Sequence, residues 1–144
     1  MKTGILYYSM TGRNDRLSQL VADALKLERI KITETTPRKT MTVAWDLMFN
    51  RTPKVEPSPT VIDDYDRVIV FAPVWMGAAA TPVRKFLKHI KKTNKPYAFV
   101  SLSGGADESN PNLLKSITSC AGHQPEVLLD MHVASAVEGA VSRE

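Results

Sequence analysis

The chain has 144 residues, 43% of them apolar, a single cysteine, and 19 Lys and Arg against 15 Asp and Glu for a formal net charge of +4. At roughly 150 residues per domain this length suits one domain, residues 1–144, with a core of its own. Cys120 alone excludes an intramolecular disulfide framework and a zinc site built only from the cysteines of one chain.

The amino terminus runs from Met1 and Lys2 straight into Ile5, Leu6 and Tyr7, without the pattern of a secretory leader. The longest apolar stretch, from Val68 to Met76, is shorter than the roughly 20 residues of a membrane-spanning helix and contains Pro73. A cytoplasmic protein without a membrane span is therefore expected.

Short β-rich apolar runs alternate with segments of helical period along most of the chain. Thr3 to Tyr8 reads as a buried strand. Asp15 to Leu27 follows as a helix, with Leu17, Leu20, Val21, Ala24 and Leu25 on its apolar face and Asn14 or Asp15 as cap. Glu28 to Thr33 is a more polar strand, suited to a sheet edge. Glu34 to Tyr65 is irregular and carries Pro37, Pro53, Pro57 and Pro59 around Val43, Trp45, Leu47, Met48 and Phe49, where one short helix is expected. A structureless connection of that length is uncommon unless it is functional, so those apolar residues either anchor it on the core or flank a ligand.

Asp63, Asp64 and Asp66 read as a turn before Arg67 to Ala72, a continuous Val/Ile/Phe run expected at a sheet centre. Thr81 and Pro82 then open a helix, Thr as cap and Pro in the first turn, with Val83, Phe86, Leu87 and Ile90 on one face. Pro96 to Leu102 is the next strand. Asn110 and Pro111 repeat the cap-and-proline device for a helix bearing Leu113, Leu114, Ile117 and Ala121 and ended by Gly122, and Val127 to Met131 is the last strand. From His132 onward the apolar content is too low to assign a helix. Alternating strands and helices mean βαβ units, hence an α/β fold with a doubly wound parallel sheet.

In such sheets ligands bind beyond the carboxyl ends of the strands. The first loop there, Ser9, Met10, Thr11, Gly12, Arg13 and Asn14, combines hydroxyls, an unhindered glycine and the amides of a helix start, which suit a phosphate. It lacks the spacing of an ATP P-loop and of a dinucleotide fingerprint. An ordinary strand-to-helix turn uses the same residue types. Pro73, Val74, Trp75, Met76, Gly77 and Ala78 follow the central strand: a large aromatic and then small residues, either a flat wall for a ring system or a tryptophan packed in the core. Ser103, Gly104, Gly105 and Asp107 again place small groups where a ligand can approach backbone.

Those three segments resemble the flavodoxin-like FMN-binding family. The resemblance rests on Tyr8-Ser9-Met10-Thr11-Gly12, on Asp64 through Gly77 with Pro82-Val83-Arg84-Lys85-Phe86-Leu87 behind it, and on Ser103-Gly104-Gly105. The middle segment is the most specific, and it resembles the short flavodoxin-family proteins more than classical long ones. The likeness covers nearly the whole chain. It implies a five-stranded sheet in the order 2-1-3-4-5 and FMN as cofactor. Its phosphate would lie at Ser9 to Asn14, one side of its ring at Pro73 to Ala78 and the other edge at Ser103 to Asp107.

The implied role is electron transfer or flavin-dependent oxidoreduction, of which an NAD(P)H:acceptor oxidoreductase is the enzymatic form. The partner would be a redox protein or a small-molecule acceptor. The chain departs from the family in having Gly12-Arg13-Asn14 where the family's loop continues Gly-Asn-Thr, and in being basic where classical flavodoxins are acidic. The alternative those departures support is a flavodoxin-fold binding or regulatory domain that has lost FMN.

The remaining conspicuous residues read as structural. His89, His123 and His132 lack metal-ligand spacing with any carboxylate cluster, and Cys120 falls on the apolar side of its helix. Arg84, Lys85, Lys88, Lys91, Lys92 and Lys95 lie on and just after one helix, without the aromatics or Gly-rich loops of a nucleic-acid reader, so no nucleic-acid partner is expected.

Overall fold

The computed structural model describes residues 2–9, 12–34, 55–75, 78–103 and 112–132. In chain order the elements are β1 (Thr3–Tyr7), α1 (Arg13–Leu25), β2 (Glu28–Lys31), β3 (Thr33–Glu34), β4 (Val55–Glu56), a 3-10 turn (Pro59–Asp64), β5 (Arg67–Phe71), β6 (Val74–Trp75), β7 (Ala78–Ala79), α2 (Thr81–Thr93), β8 (Tyr97–Ser103), α3 (Leu113–Ala121) and β9 (Val127–His132). Five strands form one parallel sheet in the order β2-β1-β5-β8-β9. Counted among themselves these strands stand 2-1-3-4-5, the order that the resemblance implies. The two-residue ribbons β3–β4 and β6–β7, both antiparallel, are additions that the sequence did not announce.

Alternate residues of each strand point to opposite faces. Leu6, Val68, Val70, Tyr97 and Phe99 face α2 and α3, whose Val83, Phe86, Leu87, Ile90, Leu113 and Ile117 are fully or almost fully buried against them. Each such side chain stabilises the fold by roughly 1.5–3 kcal/mol relative to exposure. Ile5, Tyr7, Phe71 and Val100 face the other way and pack with Ala22, Leu17 and Val21 of α1.

The apolar face expected for α1 is corrected by the structure. Leu20 and Leu25 are 60% and 58% exposed, while Asn14, Ser18 and Ala22 are the buried residues of the helix. The contact stripe runs 14, 18, 22 because polar anchors decide the rotation: Asn14 reaches β8 and Arg29 of β2 reaches Ser18. The helix starts two residues earlier than expected, with Gly12 rather than Asn14 or Asp15 as cap. It ends at Leu25, where Lys26 turns left-handed (φ 56°) and its amide bonds to the Ala22 carbonyl.

Other boundaries also move. The strand expected over Glu28 to Thr33 breaks at Ile32, whose amide bonds to the Tyr7 carbonyl at 2.8 Å before the chain leaves in β3. Ala80, not Thr81, is the cap residue of α2, and the buried Thr81 hydroxyl has no hydrogen-bond partner among the described residues. Asp63 and Asp64 belong to the 3-10 turn, and Asp66 accepts the Lys2 amide at 2.7 Å. Gly122 caps α3 at φ 79° as the sequence indicated, whereas Asn110 and Pro111 lie outside the described residues. So do the helix expected near Val43 to Phe49 and the chain after His132.

Candidate functional site

Parallel pairing brings the carboxyl ends of β1, β5 and β8 to one rim, and the order reverses between β1 and β5. In the first segment the Gly12 amide donates to Ser9 Oγ at 2.9 Å, which closes the turn into α1. Gly12 has φ 91°, a left-handed conformation that side chains rarely adopt, and nothing stands within 4 Å of where its Cβ would be. Arg13 is exposed at the first helical position. The amides of this first turn have no carbonyl within the helix to bond, and together with the helix dipole they favour an anion.

Asp15 also lies in that first turn, where its negative charge would oppose a phosphate. Arg29 answers it. The guanidinium donates to Asp15 Oδ1 at 2.7 Å, to the Asp15 carbonyl and to Ser18 Oγ at 3.1 Å each, and lies 4.4 Å from the centre of the Tyr7 ring. Arg29 is a residue that reading the loops alone missed. Its signal was a lone arginine in an otherwise unremarkable edge strand.

Asn14 behaves differently from the phosphate ligand that the resemblance implies. It is 2% exposed; its Nδ2 donates to the Leu102 carbonyl and its Oδ1 accepts the Leu102 amide, each at 3.1 Å. The Ala72 amide bonds to the Val100 carbonyl, so Leu102, two residues on, turns its backbone toward the same side. There β5 has already left through Pro73, which has no amide to donate. The Asn14 carboxamide takes the place of the missing strand, tying the first rim segment to the third. Toward a ligand Asn14 therefore offers its backbone.

In the second segment β6 and β7 pair Val74 with Ala79 and Trp75 with Ala78, and the Ala80 amide closes the hairpin on the Pro73 carbonyl at 3.1 Å. Pro73, Val74 and Ala78 are half-buried. The hairpin rises from the end of the central strand directly before α2, whose buried Thr81 hydroxyl has no partner among the described residues. The third segment leaves β8 at Ser103, one residue past the Asn14 clamp. Met10, Thr11, Met76, Gly77, Gly104, Gly105 and Asp107 lie outside the described residues; of the others, hydrogen bonds join Ser9 to Gly12 and Asn14 to the end of β8, Arg13 opens α1, Pro73, Val74, Trp75 and Ala78 lie in or beside the β6–β7 ribbon, and Ser103 ends β8.

Groups away from the rim have structural work. Tyr65 Oη donates to Glu28 Oε2 at 2.6 Å, and burial followed by that contact pushes its phenol up to about 12. Burial likewise raises Tyr97, whose Oη donates to the His123 carbonyl at 2.8 Å. His123 Nε2 lies 3.0 Å from the Lys95 carbonyl, and His89 pairs with Asp63 at 2.8 Å. Among the described residues no cluster of His, Cys, Asp and Glu could hold a metal, and no helix is long and apolar enough to cross a membrane. An apolar hollow of about 260 Å³ lies elsewhere, between α1 and the β8–β9 side of the sheet, lined by Leu17, Val21, Val100 and Leu129 among others. With no polar group on its walls it cannot recognise a phosphate.

The sheet order, with helices on both faces, decides the architecture. The fold is flavodoxin-like. No protein-family model matches the chain, and no curated protein sequence matches it. Solved structures with this fold do. A flavoprotein from Lactobacillus acidophilus NCFM, crystallised in complex with FMN, superposes with a TM-score of 0.71 at 22% identity, over 90% of this chain and 92% of that one. A putative flavoprotein from Bacteroides eggerthii reaches 0.71 at 19% identity, over 89% and 86%. A WrbA-like flavodoxin from Agrobacterium tumefaciens reaches 0.59 at 18% identity, over 96% and 85%. These three matches cover 89–96% of this chain.

Proposed function

We propose that the chain binds FMN at this rim and acts in electron transfer or as a flavin-dependent oxidoreductase. The observation that carries the reading is the Asn14–Leu102 clamp, which holds the amino terminus of α1 beside the end of β8. The FMN complex of the Lactobacillus acidophilus flavoprotein supports it through the shared fold.

The residues fit the group. A phosphate at Gly12 to Asn14 would meet first-turn amides, an open surface at Gly12 and the Arg13 cation, with Asp15 neutralised by Arg29. By the resemblance, Pro73 to Ala78 would line one side of the ring and Ser103 to Asp107 its other edge. The flavin supplies the capacity to accept and pass on electrons, and the protein's part is to bind, orient and shield it.

Purified protein is expected to carry a yellow flavin spectrum, or to quench the fluorescence of added FMN with one-to-one stoichiometry. Protein that does neither is the FMN-free binding domain of the alternative reading. Reduction assays with NADH or NADPH and with quinone or protein acceptors then distinguish an oxidoreductase from a carrier.

A further inference from the structure

Six of the cations noted in the sequence have no part in the rim, and their placement is uneven. α2 carries Arg84, Lys85, Lys88, Lys91 and Lys92, Lys95 follows it, and α3 adds Lys115; neither helix has an acidic residue. These are seven of the 19 basic residues. The other twelve face 15 acidic ones, so the rest of the chain is net negative by three and this layer holds the whole positive balance.

α2 and α3 pack side by side on one face of the sheet and present a two-helix surface. Lys88, Lys91, Lys92 and Lys115 are exposed on it and Lys85 half-buried, while Arg84 is turned inward and Lys95 Nζ is bonded to the Tyr65 carbonyl. Leu114 stands 39% exposed among them. Of the neighbouring carboxylates among the described residues, Asp63 pairs with His89 and Glu126 with Arg67, while Asp64 stands exposed in the 3-10 turn beside α2.

The outward charge is thus all lysine. Lysine is a hydrated point charge on a flexible stem, without the planar fork by which arginine recognises a fixed carboxylate or phosphate. Among the described residues no exposed aromatic side chain stands on these two helices to stack a base. Such a surface suits a partner whose charges move to meet it. We propose that the α2–α3 layer is a docking face for an anionic lipid surface. Docked in this way, the helix axes lie along the membrane plane. The rim then stands at the side of the molecule, open to reactants, about one helix diameter of 10 Å from the headgroups. The proposal does not rest on FMN, and apo and FMN-loaded protein are expected to dock alike.

Cosedimentation with vesicles of phosphatidylcholine and phosphatidylglycerol, against phosphatidylcholine alone, tests it at low ionic strength. Binding is expected only to the anionic vesicles and to fall as salt rises. Each lysine near such a surface contributes on the order of fivefold in partition. Lys92→Glu with Lys115→Glu should therefore lower binding by at least about 25-fold, and Lys92→Gln with Lys115→Gln by a smaller factor in the same direction. Lys26→Glu with Lys31→Glu changes the net charge equally at exposed positions outside the layer and should retain most of the binding. Equal binding to neutral vesicles, no binding, equal losses in the two Glu pairs, or retention on an acidic protein or nucleic acid but not on the vesicles would each overturn the proposal.

Discussion

At Gly12 the constraint is conformational rather than steric. A Cβ there would meet nothing within 4 Å, but φ 91° is strained for an alanine. Gly12→Ala should cost on the order of 1–2 kcal/mol in urea unfolding and weaken FMN more than stability, because the added methyl occupies the surface where the phosphate would lie. Asn14→Ala leaves the Leu102 amide and carbonyl buried without partners, each costing roughly 1–3 kcal/mol in the same experiment. It should also loosen the spacing between the first and third rim segments, read as a faster release of FMN. Tyr65 gives a pH signature. Its folded pKa of about 12 exceeds the ordinary 10.0, so the folded state favours the neutral phenol. The stabilisation is complete below pH 10 and is lost as pH rises toward 12. Tyr65→Phe should lose about 1 kcal/mol at neutral pH and flatten that alkaline decline, as measured by denaturation at a series of pH values.

At the scale of elements, strand and helix identities were legible because their signals are local: β-branched runs for the strands, proline in the first turn of α2, glycine after α3. What was not legible was set by partners distant in sequence. α1 turns Leu20 and Leu25 outward because Asn14 meets Leu102, 88 residues away, and Ser18 meets Arg29. No helical periodicity encodes either contact. The turn from Ser9 into α1 was legible in the sequence, yet the role of Asn14 was hidden for the same reason, since its side chain completes a strand edge that β5 vacates at Pro73. The Arg29–Asp15 pair ties the edge strand β2 to the first turn of α1. Arg29→Met keeps the stem and removes the charge, leaving Asp15 to repel a phosphate at the start of α1. FMN affinity is expected to fall several-fold, with a milder effect at high salt, in a fluorescence titration.

At the scale of the molecule, a doubly wound sheet creates a ligand rim wherever its strand order reverses, and here that reversal lies between β1 and β5. The positive balance that first set this chain apart from acidic electron carriers is concentrated on α2 and α3 rather than at the start of α1. Basic character and flavin binding are therefore compatible. A ligand that binds the folded state alone raises the unfolding temperature in proportion to the logarithm of its concentration over Kd, so FMN should stabilise the protein and Asn14→Ala should reduce that gain. The most direct measurement is titration of the purified apo protein into FMN with fluorescence detection. Quenching that saturates at one flavin per chain and is weakened by Gly12→Ala is expected; fluorescence unchanged at micromolar protein would contradict FMN binding at this rim.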